Sequence, residues 1–412
     1  MNRQKETWAR VRRELWRPPR AHGRQPQHRV VGPLELFYDL TVVVLVGQAA
    51  HHLADHLTGR GLAEFAVIFT LVWIAWLNGT LHHDLHGYDD ARGRVMFLLQ
   101  ILILVPLGAF IPKAGSEQGA AFAITAGILF ALLTLLWYLA GRRDTSEFRK
   151  PSRLYVAGTA TCAAILTASA LLPADSRLVT WGLLALAALG GLAAIIALAS
   201  PAQAAAFTIT DALTERFGLL IIIVLGETVI GVVDGLSGEP TSATGIAVGL
   251  SAVVVGFGAW WTYFDFAGHR PPKRTRAATV KWLLLHLPLT AAVTAMGAAM
   301  PSLVEHAHDD RTPPATAWAL CVGAAAVLCT TMALAASLQA WESDRRLYRP
   351  LARISVVVAI ATAALAALRP PPLALALTLT ILLGIPWGFA VAHRVRHEPP
   401  HHGGGHQSRE PA

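Results

Sequence analysis

Apolar runs of about twenty residues recur roughly twelve times along the 412-residue chain, separated by short polar loops. Each is long enough to cross the roughly 30 Å hydrocarbon core of a bilayer as a helix. The pattern predicts helices over about 34–53, 62–82, 95–112, 119–140, 153–173, 178–199, 212–233, 244–266, 278–300, 316–338, 351–368 and 372–393. Loops this short make consecutive helices antiparallel neighbours. The fold class expected is therefore all-α, a polytopic membrane bundle of about twelve transmembrane helices.

Composition agrees: 54% of residues are hydrophobic and 15% charged, with a mean hydropathy of +0.47, whereas soluble domains are about a quarter charged. The net charge of +8 is explained by topology rather than by a nucleic-acid partner. Loops on the side opposite the N-terminus hold single basic residues, Arg60, Lys113, Arg177, Arg311 and Arg369, and 28 of the 34 Lys and Arg fall on the N-terminal side. That asymmetry predicts both termini in the cytoplasm and the inner membrane as the location. Met1–Val31 carries nine Lys or Arg and is expected to be a cytosolic arm. It could attract anionic lipid headgroups at about 1 kcal/mol per charge. The apolar run after it contains two acids and no small-residue cleavage site, so it reads as a retained signal anchor. Cys162, Cys321 and Cys329 lie in apolar runs and form no disulfide or zinc framework. The tail from Arg394, with HHGGGH at 401–406, is expected to be disordered.

Self-comparison suggests a duplication. Glu35-Leu-Phe-Tyr-Asp-Leu opens the first run, and Glu215-Arg-Phe-Gly-Leu-Leu opens the seventh. Both continue into β-branched stretches, TVVV at 41–44 and IIIV at 221–224. Trp76 and Asp84 end the second run as Trp260, Trp261 and Asp265 end the eighth, and Pro112 and Pro301 end the third and ninth. Six runs per copy put both copies into the membrane from the same side, as parallel repeats. The organisation expected is an arm (1–31), a first six-helix repeat (32–199), a second (200–393) and a His/Gly/Pro-rich tail (394–412).

Three motifs carry a family resemblance: L-E-L-F-Y-D-L at 34–40, E-R-F-G-L-L-I-I-I-V-L-G-E-T at 215–228 and L-H-L-P at 285–288. In this order they closely resemble the bacterial low temperature requirement A (LtrA) proteins, over about residues 30–395. The resemblance implies a multipass inner-membrane protein linked by name to growth in the cold. It assigns the family's acids to Glu35, Asp39, Glu215 and Glu227, and its histidine to His286. Tyr38 stands where the family usually has a second Phe. In architecture, two six-span repeats that each open on an aromatic–acid motif are also similar to the endolysosomal potassium channel family.

The residues themselves leave several readings open. Glu227 lies about 18 Å beyond Glu215 along the helix at 1.5 Å per residue, past the midplane. A carboxylate at that depth is protonated, paired with another helix or exposed to a hydrated cavity. It reads either as a proton or small-cation site or as a neutral hydrogen-bonding link between helices. Gln48 stands at the equivalent depth of the first copy. Glu35 and Glu215 open helices, where the dipole favours an acid by about 0.3–1 kcal/mol, and Arg216 could neutralise its neighbour Glu215. Asp39, one turn deeper than Glu35, shares its face. Arg216 and the acids suggest a charge cluster near the cytosolic mouth, where the first run meets the seventh; Asp84 and Asp265 end their runs on that same side, where each reads as an interfacial cap before it reads as part of a path. His286 could relay protons, or bond the Leu284 carbonyl that Pro288 frees or another helix. His51, His52 and His56 lie a membrane apart from His82, His83 and His86, so they share no metal; His82 and His86 alone could bind zinc with Asp84 between them.

No Walker loop, G-x-S-x-G, H-E-x-x-H or dinucleotide fingerprint is present, so no cofactor is expected. The sequence reading is a proton-coupled transporter or channel with acids of the first helix of each repeat lining its path. A membrane-embedded enzyme acting on lipid-like substrates and a non-catalytic scaffold are the alternatives. Oligomeric state is not legible in the chain.

Overall fold

The computed structural model describes residues 15–26, 28–238 and 242–397; the remainder of the basic arm and the tail from 398 lie outside the described residues. Twelve long helices account for most of what is described. They are α1 (Pro33–Asp55), α2 (Gly59–His86), α3 (Ala91–Phe110), α4 (Gly119–Gly141), α5 (Ser146–Ser169), α6 (Ala174–Ala197), α7 (Asp211–Gly238), α8 (Ala243–Phe266), α9 (Arg276–Glu305), α10 (Pro314–Ala335), α11 (Arg345–Leu368) and α12 (Pro372–His397). No strand occurs among the described residues, so the all-α bundle is as expected. Side-chain caps start many of the helices: Thr58, Asp90, Ser242, Thr275 and Asp344 each accept a backbone N–H of the first turn. In α1, Pro33 occupies the first turn and Glu35 reaches back to the Gly32 N–H at 2.9 Å.

Eleven of the twelve are long and apolar enough to cross a membrane, one fewer than the twelve spans expected. The exception is α5, whose first two turns carry Glu147, Arg149, Lys150 and Arg153. It nevertheless packs along α4 and against α6. Contacts at the two faces follow the alternation. Arg60 at the start of α2 meets Asp175 at the start of α6 on the far face. His22 of the arm meets Asp144 between α4 and α5 on the arm face.

Helix pairings in the first six recur in the second six. α1 packs on α2 and α3 as α7 packs on α8 and α9; α4 packs on α5 as α10 on α11; α2 packs on α6 as α8 on α12. Between the sixes, α1 meets α7, and α9 meets both α1 and α6. α9 is the pivot of the bundle. It runs on through Pro288 and Pro301 to Glu305, five residues beyond its expected end. Its closest partner is α7, because small residues line the seam. A Cβ on Gly231 would stand 2.6 Å from the Gly297 carbonyl oxygen, and one on Gly235 would stand 2.9 Å from that of Pro301.

The arm is a strap, not a free extension, over its described part. The Arg17 N–H bonds Asp90 at 2.8 Å, the Arg20 N–H bonds the His86 carbonyl at 3.1 Å, and Gln25 donates to the Ala206 carbonyl. It turns at Gly23, where φ is +76°, a conformation that favours glycine. Burial works against ionisation of Asp144, but hydrogen bonds from His22 and Ser152 outweigh it and hold this carboxyl below its ordinary value of 3.8.

Two outcomes follow from this packing. Gly231→Ala forces α7 away from α9 and destabilises the bundle by about 1–3 kcal/mol, read as a lower thermal midpoint in detergent. Gly238→Ala, where a Cβ meets nothing within 4 Å, leaves the midpoint unchanged. Because the folded pKa of Asp144 is depressed, its contribution is complete above the unfolded value and is lost as pH falls through the folded one. A spin label at exposed Arg24→Cys therefore stays immobile from neutral pH to about pH 4 and gains mobility only below that.

Candidate functional site

Where α1 meets α7, on the arm-side half of the membrane helices, a buried charge cluster joins the sequence's two matched openings. Arg216 of α7 is 0% exposed and reaches across to α1. Its Nε donates to Asp39 Oδ2 at 3.0 Å, a terminal nitrogen donates to Asp39 Oδ1, and the other lies 3.5 Å from Glu35 Oε1. Trp76 of α2 donates its indole N–H to Asp39 Oδ1 at 2.7 Å. The two acids share a face of α1 one turn apart, as their spacing requires.

A second guanidinium comes from the strap. Arg29 holds Glu35 in a two-pronged pair, at 2.6 and 2.9 Å, and stands 3.3 Å from Asp84 of α2. Thr210, just before α7, donates its hydroxyl to Asp84 at 2.8 Å. His83 Nε2 lies 3.7 Å from Glu35. Glu35, Asp39 and Asp84 are each no more than 2% exposed. Three carboxylates thus face two guanidiniums, so a neutral cluster holds one proton more, on a carboxyl or on His83. An ion network this deep depends on pairing and hydrogen bonds among its members, and of its guanidinium nitrogens Arg29 Nε has no partner among the described residues.

Glu215 and Arg216 do not pair with each other. A helix turns about 100° per residue, so neighbours point apart: Arg216 points to α1, while Glu215 accepts the Val31 N–H of the strap at 3.3 Å. Tyr38 packs with its ring 6.0 Å from the Arg216 guanidinium carbon, and its buried hydroxyl has no hydrogen-bond partner among the described residues. A Phe at this position would keep the ring contact.

Glu227 lies elsewhere, eleven residues further along α7 than Arg216. It lines a groove of about 650 Å³ formed by α1, α7 and α9, together with Gln48, His51 and Asp234. Its carboxylate rests against Gly47 of α1, with no hydrogen bond or ion pair among the described residues. The groove begins at Leu40, the residue after Asp39, and runs toward the far face, where His51 and Asp234 are exposed. Leu40, Val44, Ile222 and Ile230 leave its flank open at the bundle surface.

The remaining sequence candidates stand apart. His286 of α9 donates Nδ1–H to the carbonyl of Trp282 at 2.6 Å, not to that of Leu284, and its Nε2 accepts from the Tyr263 hydroxyl at 3.1 Å. Both ring nitrogens are committed, and the ring packs on Phe217, next to Arg216. Asp265 takes the indole N–H of Trp261 in its own helix at 3.0 Å. His82 and His86 pack edge-on to Trp137. Among the described residues, no group of three or more His, Cys, Asp or Glu is placed to hold a metal ion. Arg29 and Thr210 belong to the cluster without having been candidates in the sequence, where Arg29 counted only as one of the nine basic residues of the arm. Trp76 and His83 were named there for other reasons, one as a mark of the duplication and one within a group of histidines.

Arg216→Gln leaves Asp39 without its cation and destabilises the fold by about 3–5 kcal/mol. The double change Arg216→Met with Asp39→Leu removes both charges and recovers most of that loss. Thermal unfolding of the single and double variants in detergent is the check. An unaltered midpoint for Arg216→Gln would remove the cluster's structural role.

Comparison with known proteins agrees with the motif reading. The chain is 25% identical over 283 residues to "Uncharacterized protein RA0937" of Rhizobium meliloti (strain 1021), a match covering 64% of this chain and 67% of that protein. The family described as bacterial low temperature requirement A protein matches residues 30–386, which takes in α1 with its acids, the Arg216 bridge, the Glu227 groove and most of α12. The chain therefore belongs to the bacterial low temperature requirement A (LtrA) family.

Proposed function

We propose that the chain is a proton-coupled transporter or channel of the cytoplasmic membrane, with its pathway along the contact between α1 and α7. The observation that carries this reading is Glu227, a carboxylate inside the span region with no hydrogen bond or ion pair among the described residues, in a groove of about 650 Å³. A carboxylate kept only to link helices would be bonded to one. The groove starts one residue beyond Asp39 and is backed on the arm side by the Arg216 cluster. In this state the cluster is the inner barrier and the groove the outer vestibule. The three-carboxylate, two-guanidinium cluster, one negative charge in excess when its carboxyls are all ionised, offers a second site for a proton about 16 Å from Glu227 at 1.5 Å per residue.

The direction follows from charge. With the basic loops and the arm on the cytoplasmic side, the cluster lies toward the cytoplasm and Glu227 toward the outside. The recurrence of helix pairings between the two sixes supports reading them as copies, with α1 and α7 as equivalent helices. Gln48 in place of a second acid makes the two copies electrically unequal, which suits a pathway with one proton-binding side chain at that depth.

Reconstitution tests the proposal. Proteoliposomes loaded with a pH-sensitive dye and given a potassium-diffusion potential should acidify or alkalinise with the native chain. Glu227→Gln, which keeps the shape and removes the charge, should lower that flux at least tenfold while the thermal midpoint stays within about one degree. Full flux with Glu227→Gln sinks the pathway.

A further inference from the structure

Three cavities meet end to end alongside α6. The first, about 760 Å³, lies at the arm face between the short helix Pro201–Ala206, the start of α7 and the loop into α9, and Arg274 and Arg276 line it. It shares Ile196, Phe207 and Thr279 with a neck of about 50 Å³. The neck in turn shares Tyr155, Leu192 and Ile195 with a slot of about 240 Å³ between α2, α4, α5 and α6.

The walls change character along this line. At the wide end Lys273 is tied to Glu342 at 2.7 Å and Asp211 to His28 at 2.7 Å. Arg274 is exposed and Arg276 half-buried, and neither has a hydrogen bond or ion pair among the described residues. At the narrow end the slot's polar groups are already satisfied. The Tyr155 hydroxyl donates to Asn78 at 2.5 Å, and Thr159 and Thr161 donate to carbonyls of their own helix. The slot therefore asks nothing polar of an occupant. From Ile195 to Leu184 it follows α6 for eleven residues, about 16 Å at 1.5 Å per residue, the reach of a long acyl or prenyl chain. α6 is the least covered of the apolar helices, so the slot lies beside the bilayer.

We propose that this line of cavities binds a membrane-resident phosphorylated amphiphile, its phosphate at Arg274 and Arg276 and one hydrocarbon chain in the slot. Guanidiniums take phosphate oxygens through charge-assisted, planar hydrogen bonds, and a satisfied apolar slot takes a chain by removing its surface from water and loose lipid contact. The site is distinct from the α1–α7 groove and stands whether or not that groove conducts. It also differs from diffuse attraction of anionic headgroups to the arm, because it requires a chain and a phosphate together.

The test uses the full chain in phosphatidylcholine nanodiscs with a phosphatidic acid carrying a photoactivatable group on one chain. Labelling should fall on α5 and α6 slot residues. Arg274→Gln with Arg276→Gln should reduce it at least fivefold. Gly158 and Gly191 line the slot, and a Cβ on either meets nothing within 4 Å. Gly158→Leu and Gly191→Leu should each reduce labelling as much, with an unchanged thermal midpoint. If one of them fails to fold, the other decides. Equal labelling by a diacylglycerol with the same chain would overturn the role of the arginines. Inorganic phosphate at millimolar concentration that blocks labelling, or labelling indifferent to both slot-filling changes, would mean a free-phosphate site or a loose lipid and would overturn the proposal.

Discussion

A guanidinium without solvent contact has to find acceptors for its donors inside the protein, and Arg216 finds them at Asp39, 177 residues earlier in the chain. Removing such an ion from water costs several kcal/mol, a cost offset only by close, geometrically good partners. Asp39 supplies two contacts, and Trp76 and Glu35 complete the environment of the pair. The rotational setting of α1 against α7 is thereby held within narrow limits. That setting in turn decides which residues of the two helices face each other further on, including Gly47 against the Glu227 carboxylate. Arg29 extends the same logic outward. It brings the strap into the cluster and ties α2 to it through Asp84.

Much of the architecture could be read from the chain because bilayer thickness converts directly into run length. Ends were less legible. α5 begins at Ser146 rather than near 153, since its charged first turns are helical at the interface, and α9 continues through Pro301 because a proline near a helix end need not stop it. The acids of the first motif were visible as a pair on one face. So was the cluster they form with Arg216 where α1 meets α7; the choice of Asp39 over Glu215 as the partner of Arg216 was not, since it takes the packing of α1 as well as the 100° turn between neighbours to decide it. Thr210 carried no signal, and Trp76 and His83 were visible only as a repeat landmark and as one of several histidines, because nothing in the chain shows which neighbouring helix makes each of them a partner of the acids. His286 shows the opposite case. Its depth suggested proton transfer, yet both ring nitrogens are committed, one to a carbonyl of its own helix and one to Tyr263.

The two sixes resemble each other more in their internal pairings than in how they meet. α9 packs against α1 and α6 as well as its own neighbours, and it supplies the glycine seam along α7. The second six therefore carries the pivot, and the first carries the open slot beside α6. Gln48 and Glu227 repeat that inequality in electrostatic terms.

The separation of Asp39 from Arg216 along the chain has a consequence for assembly in the cell. During synthesis α1 and α2 leave the ribosome well before α7 exists, so Asp39 spends that interval in or near the bilayer without its cation. Trp76, only 37 residues later and on the adjoining helix, is already there to donate its indole N–H. The first helical hairpin thus carries its own provisional partner for the acid, which shelters Asp39 until the second half arrives and makes the insertion of α7 the step that locks the two halves together.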